Sequence, residues 1–508
     1  MKIGIDLGTT FSLCSTIEGG GQLKLIPDNT FRQDLFTPSI VHLSGEKAYV
    51  GRMVEPLIEQ NPELETIRFF KRKFGDPNPI FYDSTGTSWY PEAMGALVLK
   101  KLKFDAEGYS GQIVDGAVIT IPAHFNDPQR RAVLNAAAFV DMPVLGLVEE
   151  PVAAALHYGV KNSTTDEEII LVYDLGGGTF DVTLLTLDHS GVYVLAKDGL
   201  TELGGKEFDE KIADIILQQY QTVIGTEPDL NAKTLLQLRR LSEEVKIELC
   251  MPGQAFVNKT AVLGGVPFEL IISRKEFENS INEAIDETEM VMQRCITGSG
   301  LAKGDITSVL LVGGSSMVPL IKERVRKFFD GGNQKILFHE PMKAVASGAA
   351  VHVCQLSGDA EMFNIPAELR GVTGYHIGLR TIDPRTGRVR VDPLIKKNIP
   401  LPIQIKKTYY TTRPDQTQMI FEFVQYLDDP MNSVSLGNLV VGPFSFPQSN
   451  YPVEITINYQ EDGTVMVVAY DPQTGEELSQ SFGNQDANQS YLVQQKALVT
   501  STIVNNIG

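Results

Sequence analysis

Two segments far apart in the chain, Asp6-Leu7-Gly8-Thr9-Thr10 and Asp174-Leu175-Gly176-Gly177-Gly178-Thr179, repeat one pattern: a carboxylate ending an apolar run, then glycine, then a hydroxyl. The flanking runs (Ile3 to Ile5 and Phe11 to Ile17; Ile169 to Tyr173 and Phe180 to Leu187) predict strands, which makes each turn a β-hairpin tip. Glycine there lets backbone N–H groups approach an anion with no Cβ in the way. Two such tips facing one another would grip a polyphosphate from both sides and leave two carboxylates for a metal. A third turn, Gly313-Gly314-Ser315, ends the buried run Val309 to Val312 and opens a helix, whose N-terminus attracts phosphate.

Phosphoryl transfer to water needs phosphate grips, a metal, compensation of developing negative charge and a positioned water. Asp6 and Asp174 suit Mg²⁺, held through waters because that ion dehydrates reluctantly. Asp181, on the strand returning from the second tip, is placed to orient the water. Glu150 opens a helix at the edge of the expected cleft, and Lys71, in Phe70-Lys71-Arg72-Lys73, is long enough to reach a terminal phosphate. Taken singly, each has a plainer reading: an Asp-Gly turn, a helix-start charge favoured by the dipole, a solvated basic face. The joint order of the signals carries the chemical reading.

The elements that must position these residues fall into stretches of different character. The chain has 508 residues, too many for one core. Residues 1–165 mix strands with helices, among them Pro128 to Phe139 behind the cap Asn126-Asp127. From 166 to 357 the strand-turn-strand pattern begins again, followed by long helices. One of these, Lys233 to Cys250, has an apolar stripe (Leu238, Leu241, Val245, Leu249) and an opposite face with Glu243, Lys246, Ile247 and Cys250. Residues 358–371 are turn-prone and read as a linker. Residues 372–483 hold many short strands with turn signals such as Asp383-Pro384 and Asp462-Gly463, the pattern of a β-sandwich. Residues 484–508 read as a short helix or a loose tail. A net charge of −19 argues against nucleic acid and anionic membrane as partners. Met1 leads straight into a strand with no leader, and no apolar run reaches the length of a spanning helix. Four scattered cysteines fit neither a zinc site nor a disulfide framework, and point to a reducing, cytoplasmic setting.

The motifs Ile5-Asp6-Leu7-Gly8-Thr9-Thr10-Phe11-Ser12, Ile121-Pro122-Ala123-His124-Phe125-Asn126-Asp127, Glu150-Pro151, Asp174 to Asp181, Leu203-Gly204-Gly205 and Val312-Gly313-Gly314-Ser315, in that order, closely resemble the heat-shock seventy (DnaK-like) chaperones. The resemblance implies an α/β actin-like ATPase of two ribonuclease-H-like lobes (1–165 and 166–357), followed by an all-β sandwich that binds extended apolar peptides. It implies ATP, ADP and Mg²⁺ as ligands. Gly8, Thr9, Thr10, Gly176, Gly177, Gly178, Thr179, Gly204, Gly205, Gly313, Gly314 and Ser315 would hold phosphates and ribose. Asp6 and Asp174 would place the metal, and Lys71, Glu150, Asp181 and Thr179 would serve hydrolysis. Pro122 and Arg130 match the family's switch proline and relay arginine. Leu379, Ile382, Tyr410, Met419 and Phe421 would line the peptide cleft, although Met419, Phe421 and Phe423, alternating on one strand, fit an ordinary sandwich core equally well. A J-domain co-chaperone and a nucleotide-exchange factor are the implied partners. A nucleotide-regulated scaffold is the alternative from a different class, and a small-molecule kinase on the same fold is a third.

The chain departs from the family in four places. Ile247 and Met317 stand where two arginines usually stack on adenine, and Cys250 stands for a serine; Glu243 and Lys246 remain for the ribose. Losing two cation–π contacts, worth about 0.5–2 kcal/mol each, predicts weaker ATP binding. The linker Pro366-Ala367-Glu368-Leu369-Arg370-Gly371-Val372 has one leucine and two charges where the family has a leucine run, so little apolar docking is expected. Gly146, Glu149 and Val152 replace arginine, asparagine and threonine of the J-domain surface, which predicts a dedicated, diverged co-chaperone or none. The family's helical lid has no counterpart in 484–508, so bound peptide should exchange quickly.

Overall fold

The computed structural model describes residues 1–31, 34–61, 63–162, 167–329, 332–359, 368–382, 387–445, 447–461, 463–482 and 489–505. The expected turn at Asp383-Pro384, Asp462, and linker residues 360–367 lie outside them.

Two sheets share one topology. In the first, β1 (Lys2–Asp6), β2 (Phe11–Glu18), β3 (Gln22–Ile26), β4 (Gly116–Ile121) and β5 (Val144–Glu149) lie in the order β5-β4-β1-β2-β3. Pairing is parallel through β5, β4 and β1, then antiparallel through β2 and β3. In the second, β6 (Glu168–Leu175), β7 (Phe180–Leu187), β8 (Gly191–Leu200), β9 (Ser308–Val312) and β10 (Lys335–Phe338) repeat this as β10-β9-β6-β7-β8. Again three strands are parallel and two antiparallel. Parallel strands covered on both faces must be apolar throughout, and every residue of β4 and β9 is buried. The duplicated hairpin turns therefore sit at equivalent points of equivalent sheets.

Helices α1 (Pro91–Ser110), α2 (Asp127–Phe139), α3 (Glu150–Asn162) and α6 (Ala344–Ser357) pack about the sheets, the helix Asn282–Ser299 lies on β7 and β8, and α4 (Gly205–Ile224) and α5 (Ala232–Cys250) pack on one another and on the hairpin of Phe256–Leu263 and Val266–Ser273. Helix α3 follows the first sheet but packs on the second, and α6 follows the second but packs on the first. The helices cross through small residues, where a Cβ on Gly348 would lie 1.7 Å from the Ala153 carbonyl oxygen, and α6 meets β1 as closely, where one on Gly4 would lie 2.1 Å from the Ala350 nitrogen. Residues of both lobes share one buried cluster at this crossing.

A short strand, β11 (Glu368–Arg370), pairs in parallel with β8 and extends the second sheet. Eight strands then form a sandwich: β12 (His376–Ile382), β13 (Val389–Ile395), β15 (Met419–Tyr426) and β16 (Val434–Val441) in one sheet, β14 (Ile403–Tyr410), β17 (Pro452–Tyr459), β18 (Val465–Tyr470) and β19 (Glu477–Phe482) in the other. Strict alternation of burial along β17 shows one face on the core and one on solvent. Helix α7 (Gln489–Ser501) returns to the first lobe and packs on α1 and α2, and β20 (Ile503–Val504) pairs with the strand Lys47–Val50. Val499 and Val504 are buried there, and Asn505 closes the contact: its Oδ1 accepts from Val50 N at 2.7 Å and its Nδ2 donates to Val50 O at 3.0 Å.

Candidate nucleotide and catalytic site

The two hairpin tips meet. A Cβ on Gly177 would stand 2.0 Å from Thr10 Oγ1, and one on Gly178 would stand 2.8 Å from Thr9 Cγ2. The second tip rests on the start of α4, where a Cβ on Gly204 would come within 2.5 Å of the Gly178 nitrogen. Gly313, at φ +81°, lies against Asp174, and Ser315 Oγ donates to Gly176 O at 2.7 Å. The first tip is braced by Ser39 Oγ, which donates to Gly8 O at 2.7 Å. At Gly204 and Gly313 backbone atoms occupy most of the space a Cβ would need, whereas at Gly177 and Gly178 the obstacles are side chains of Thr10, Thr9 and Arg72.

Beneath the tips lies a buried acidic cluster. Lys71, 3% exposed, donates through Nζ to Glu150 Oε1 at 2.5 Å. Burial, then the Glu150 carboxylate, raises Asp6 to about 7, while Thr120 Oγ1 donates to its Oδ1 at 3.3 Å. Burial raises Asp174 well above the carboxylate range, reinforced in turn by Glu150, Asp181 and Asp6, with Lys71 opposing. Asp181 Oδ1 lies 2.7 Å from His124 Nδ1, while its Oδ2 and His124 Nε2 are buried without a protein partner. Thr9, Lys71, Pro122, His124, Phe125 and Thr179 line a small cavity here. Four carboxylates facing one ammonium leave negative charge that a divalent cation would balance. Arg72 adds the complementary feature: Nη1 binds Glu207 at 2.8 Å, but Nε and Nη2 are buried and unpartnered, Nε lying beside Gly178. This donor set fits Mg²⁺ and a polyphosphate.

A family profile described as Hsp70 protein matches residues 2–497. The chain belongs to the Hsp70 family. Its fold is therefore the actin-like ATPase of two ribonuclease-H-like lobes, followed by an all-β sandwich. Hsp70 proteins are nucleotide-binding ATPases that use Mg²⁺ and, as chaperones, bind peptides and co-chaperones. No helix among the described residues is long and apolar enough to cross a membrane.

Against that background the site residues sort clearly. Lys246 Nζ donates to Gly205 O at 3.1 Å and pairs with Asp209 at 2.7 Å. Ile247 and Met317 are 52% and 48% exposed, large apolar side chains left facing outward on the two elements that meet at Gly205. Glu243 and Cys250 share the same half-buried face of α5. Two residues of the site had weaker sequence signals: Arg72 is hidden in a basic run, and His124 sits inside a motif whose proline draws attention first.

Pro122 and Arg130 lie at opposite ends of one segment. Pro122 borders the cavity beside Lys71 and His124, whereas Arg130 borders a second cavity with Tyr375, Gln425 and Gly463 of the sandwich. Between them Asn126 and Gln129 cap α2 reciprocally. Tyr375 Oη donates to the His124 carbonyl, and Asp127 N donates to Gln425 Oε1 at 3.2 Å. Glu149 accepts from buried Lys197 within the protein. The described part of the linker docks through the main-chain pairing of β11 with β8, with Leu369 packed against the core cluster in which Val372 is buried.

The cleft residues of the sandwich fall differently from expectation. Leu379 and Phe421 are 2% exposed and fill the space between the sheets, with Met419 packed beside them. The alternation of β15 points this face inward. Tyr410 is exposed, and Ile382 ends β12 opposite Val389.

Proposed function

We propose that this protein is a slow ATP-hydrolysing chaperone that binds extended apolar peptide and couples that binding to hydrolysis in the cytoplasm. The carrying observation is the buried Asp6, Glu150, Asp174 and Asp181 cluster with Lys71, directly under the two facing tips. In this reading the glycine tips, Gly204, Gly205, Gly313, Gly314 and Ser315 bind phosphates and ribose. Ile247 and Met317 sandwich the adenine, with Glu243, Lys246 and Cys250 at its edge. Asp6 and Asp174 hold Mg²⁺, which when bound neutralises charge on the phosphate oxygens. Lys71 compensates the charge that develops during transfer. Asp181, held by His124, and Thr179 orient the attacking water, and Glu150 fixes Lys71. Pro122 and Arg130 relay the state of the cleft to the sandwich. A dedicated J-domain co-chaperone and an exchange factor act on it, and four unpaired cysteines suit a reducing compartment.

The test is steady-state ATP turnover with and without an unfolded apolar peptide. Stimulation by peptide is expected; turnover indifferent to peptide would replace the chaperone reading with that of a nucleotide-regulated scaffold. That second reading is favoured by one observation, the burial of Leu379 and Phe421 in the sandwich core. Turnover only with an added sugar-like acceptor would point to a kinase.

A further inference from the structure

On the side of the molecule where α3 and α6 cross, three side chains with metal-ligating atoms converge: His157 of α3, and His339 and Glu340 of the segment between β10 and α6. We propose that His157, His339 and Glu340 form a binding site for a divalent transition metal of zinc's class, separate from the carboxylate cleft.

One ligating atom from each residue lies within 4.8 Å of the others. His157 Nε2 is already 2.8 Å from Glu340 Oε2, and the two imidazole rings are 4.9 Å apart at 48°. Two imidazoles and a carboxylate, with a fourth position left for water, are the ligand set that zinc favours over Mg²⁺ or Ca²⁺. The independent sign of a missing ligand is His339: its Nε2 is buried and has no hydrogen-bond partner. Such an atom costs free energy unless something satisfies it. Burial lowers both His157 and His339 from the usual imidazole range, which favours the neutral ring that a metal takes. Glu340 is held ionised, lowered to about 2 chiefly by its bond from Lys161. The backbone is also committed: Glu340 sits at φ 45°, a left-handed conformation unusual for a side-chain-bearing residue, while its carbonyl accepts from Lys343 N and Ala344 N.

Lys161 is the competitor. Its Nζ lies 2.5 Å from the same Glu340 oxygen, yet the side chain is 48% exposed and free to swing into solvent when a divalent cation takes its place. On metal binding His157 keeps its single proton by carrying it on Nδ1, releasing Nε2 for the ion. The site would join α3 to the segment leading into α6, and Pro341 of that segment accepts from Gly313 N at 2.9 Å. Helix α3 begins at Glu150, roughly 10 Å along the axis from His157.

The experiment is titration of the full chain with Co²⁺, then Zn²⁺ in competition, in excess Mg²⁺ to occupy the acidic cleft. One equivalent giving the intense visible absorption of four-coordinate Co²⁺, displaced by Zn²⁺, is expected. His339→Gln, a half-buried position that should fold, is expected to weaken Co²⁺ binding at least about tenfold. His157→Ala should do the same, Asp174→Asn should leave it unchanged, and Lys161→Met should tighten it. Only the weak spectrum of six-coordinate Co²⁺, or binding indifferent to His339→Gln, or binding lost in Asp174→Asn, would overturn the proposal.

Discussion

Lys71 has no room for indecision: it is buried among carboxylates and bonded to one of them. Lys71→Ala should cut single-turnover ATP hydrolysis by ~10²–10³-fold while leaving nucleotide affinity nearly intact, because the ammonium acts on charge that develops in transfer. Unchanged turnover would remove Lys71 from the machinery. Asp6 makes a second prediction through pH. Its folded-state value is raised from 3.8 to about 7, so its contribution to stability is whole below about pH 4 and lost as pH climbs through 7. Without Mg²⁺, Asp6→Asn should therefore gain melting temperature over the parent at pH 8 and not at pH 4, as differential scanning calorimetry can measure. At this scale the sequence was readable where a residue ends a strand before glycine, as Asp6 and Asp174 do. It was opaque for Arg72 and His124, because a guanidinium with unpartnered N–H groups and an imidazole beside Asp181 are recognised only by what surrounds them.

Among the elements, the α4 start is the least forgiving. Gly204→Ala would drive a methyl into the backbone of Gly178, and the neighbour cannot yield as a side chain would. Overpacking of this kind costs about 1–3 kcal/mol; a fall in melting temperature together with weakened nucleotide binding is expected, and normal values for both would show that the turn has slack. Tyr375→Phe tests the junction: it removes the hydroxyl that reaches the His124 carbonyl, and peptide stimulation should fall while basal turnover persists. The paired sheets were legible because both hairpins carry long apolar runs on either side of the glycine turn. The linker strand was not, since three residues bonded through their main chain leave no pattern in side chains. Leu379 and Phe421 show the converse limit: alternation tells which residues share a face, not whether that face opens to a ligand or closes on a second sheet.

For the molecule as a whole, the return of the chain to the first lobe is decisive. The sequence of 484–508 reads equally as a short helix or a loose tail, and β20 is too short for any periodicity to announce. Asn505→Ala would remove two hydrogen bonds to Val50 and cost about 1–2 kcal/mol; Ile503→Pro, by removing the N–H that Glu46 O accepts at 2.9 Å, would loosen the same contact. Both should hasten proteolysis after residue 482, and equal protease resistance would show that α7 holds without β20.

Beyond its direct contacts at Tyr375 and Gln425, the sandwich is moored at each end, by β11 to one lobe and by α7 with β20 to the other. A module pinned at both ends would act as a strut between the two lobes if they moved. Any scissoring of the lobes must stretch it, bend it or unhook one mooring, and that mechanical demand would transmit a change at the phosphates to the sandwich even if no side chain along the way altered its partner.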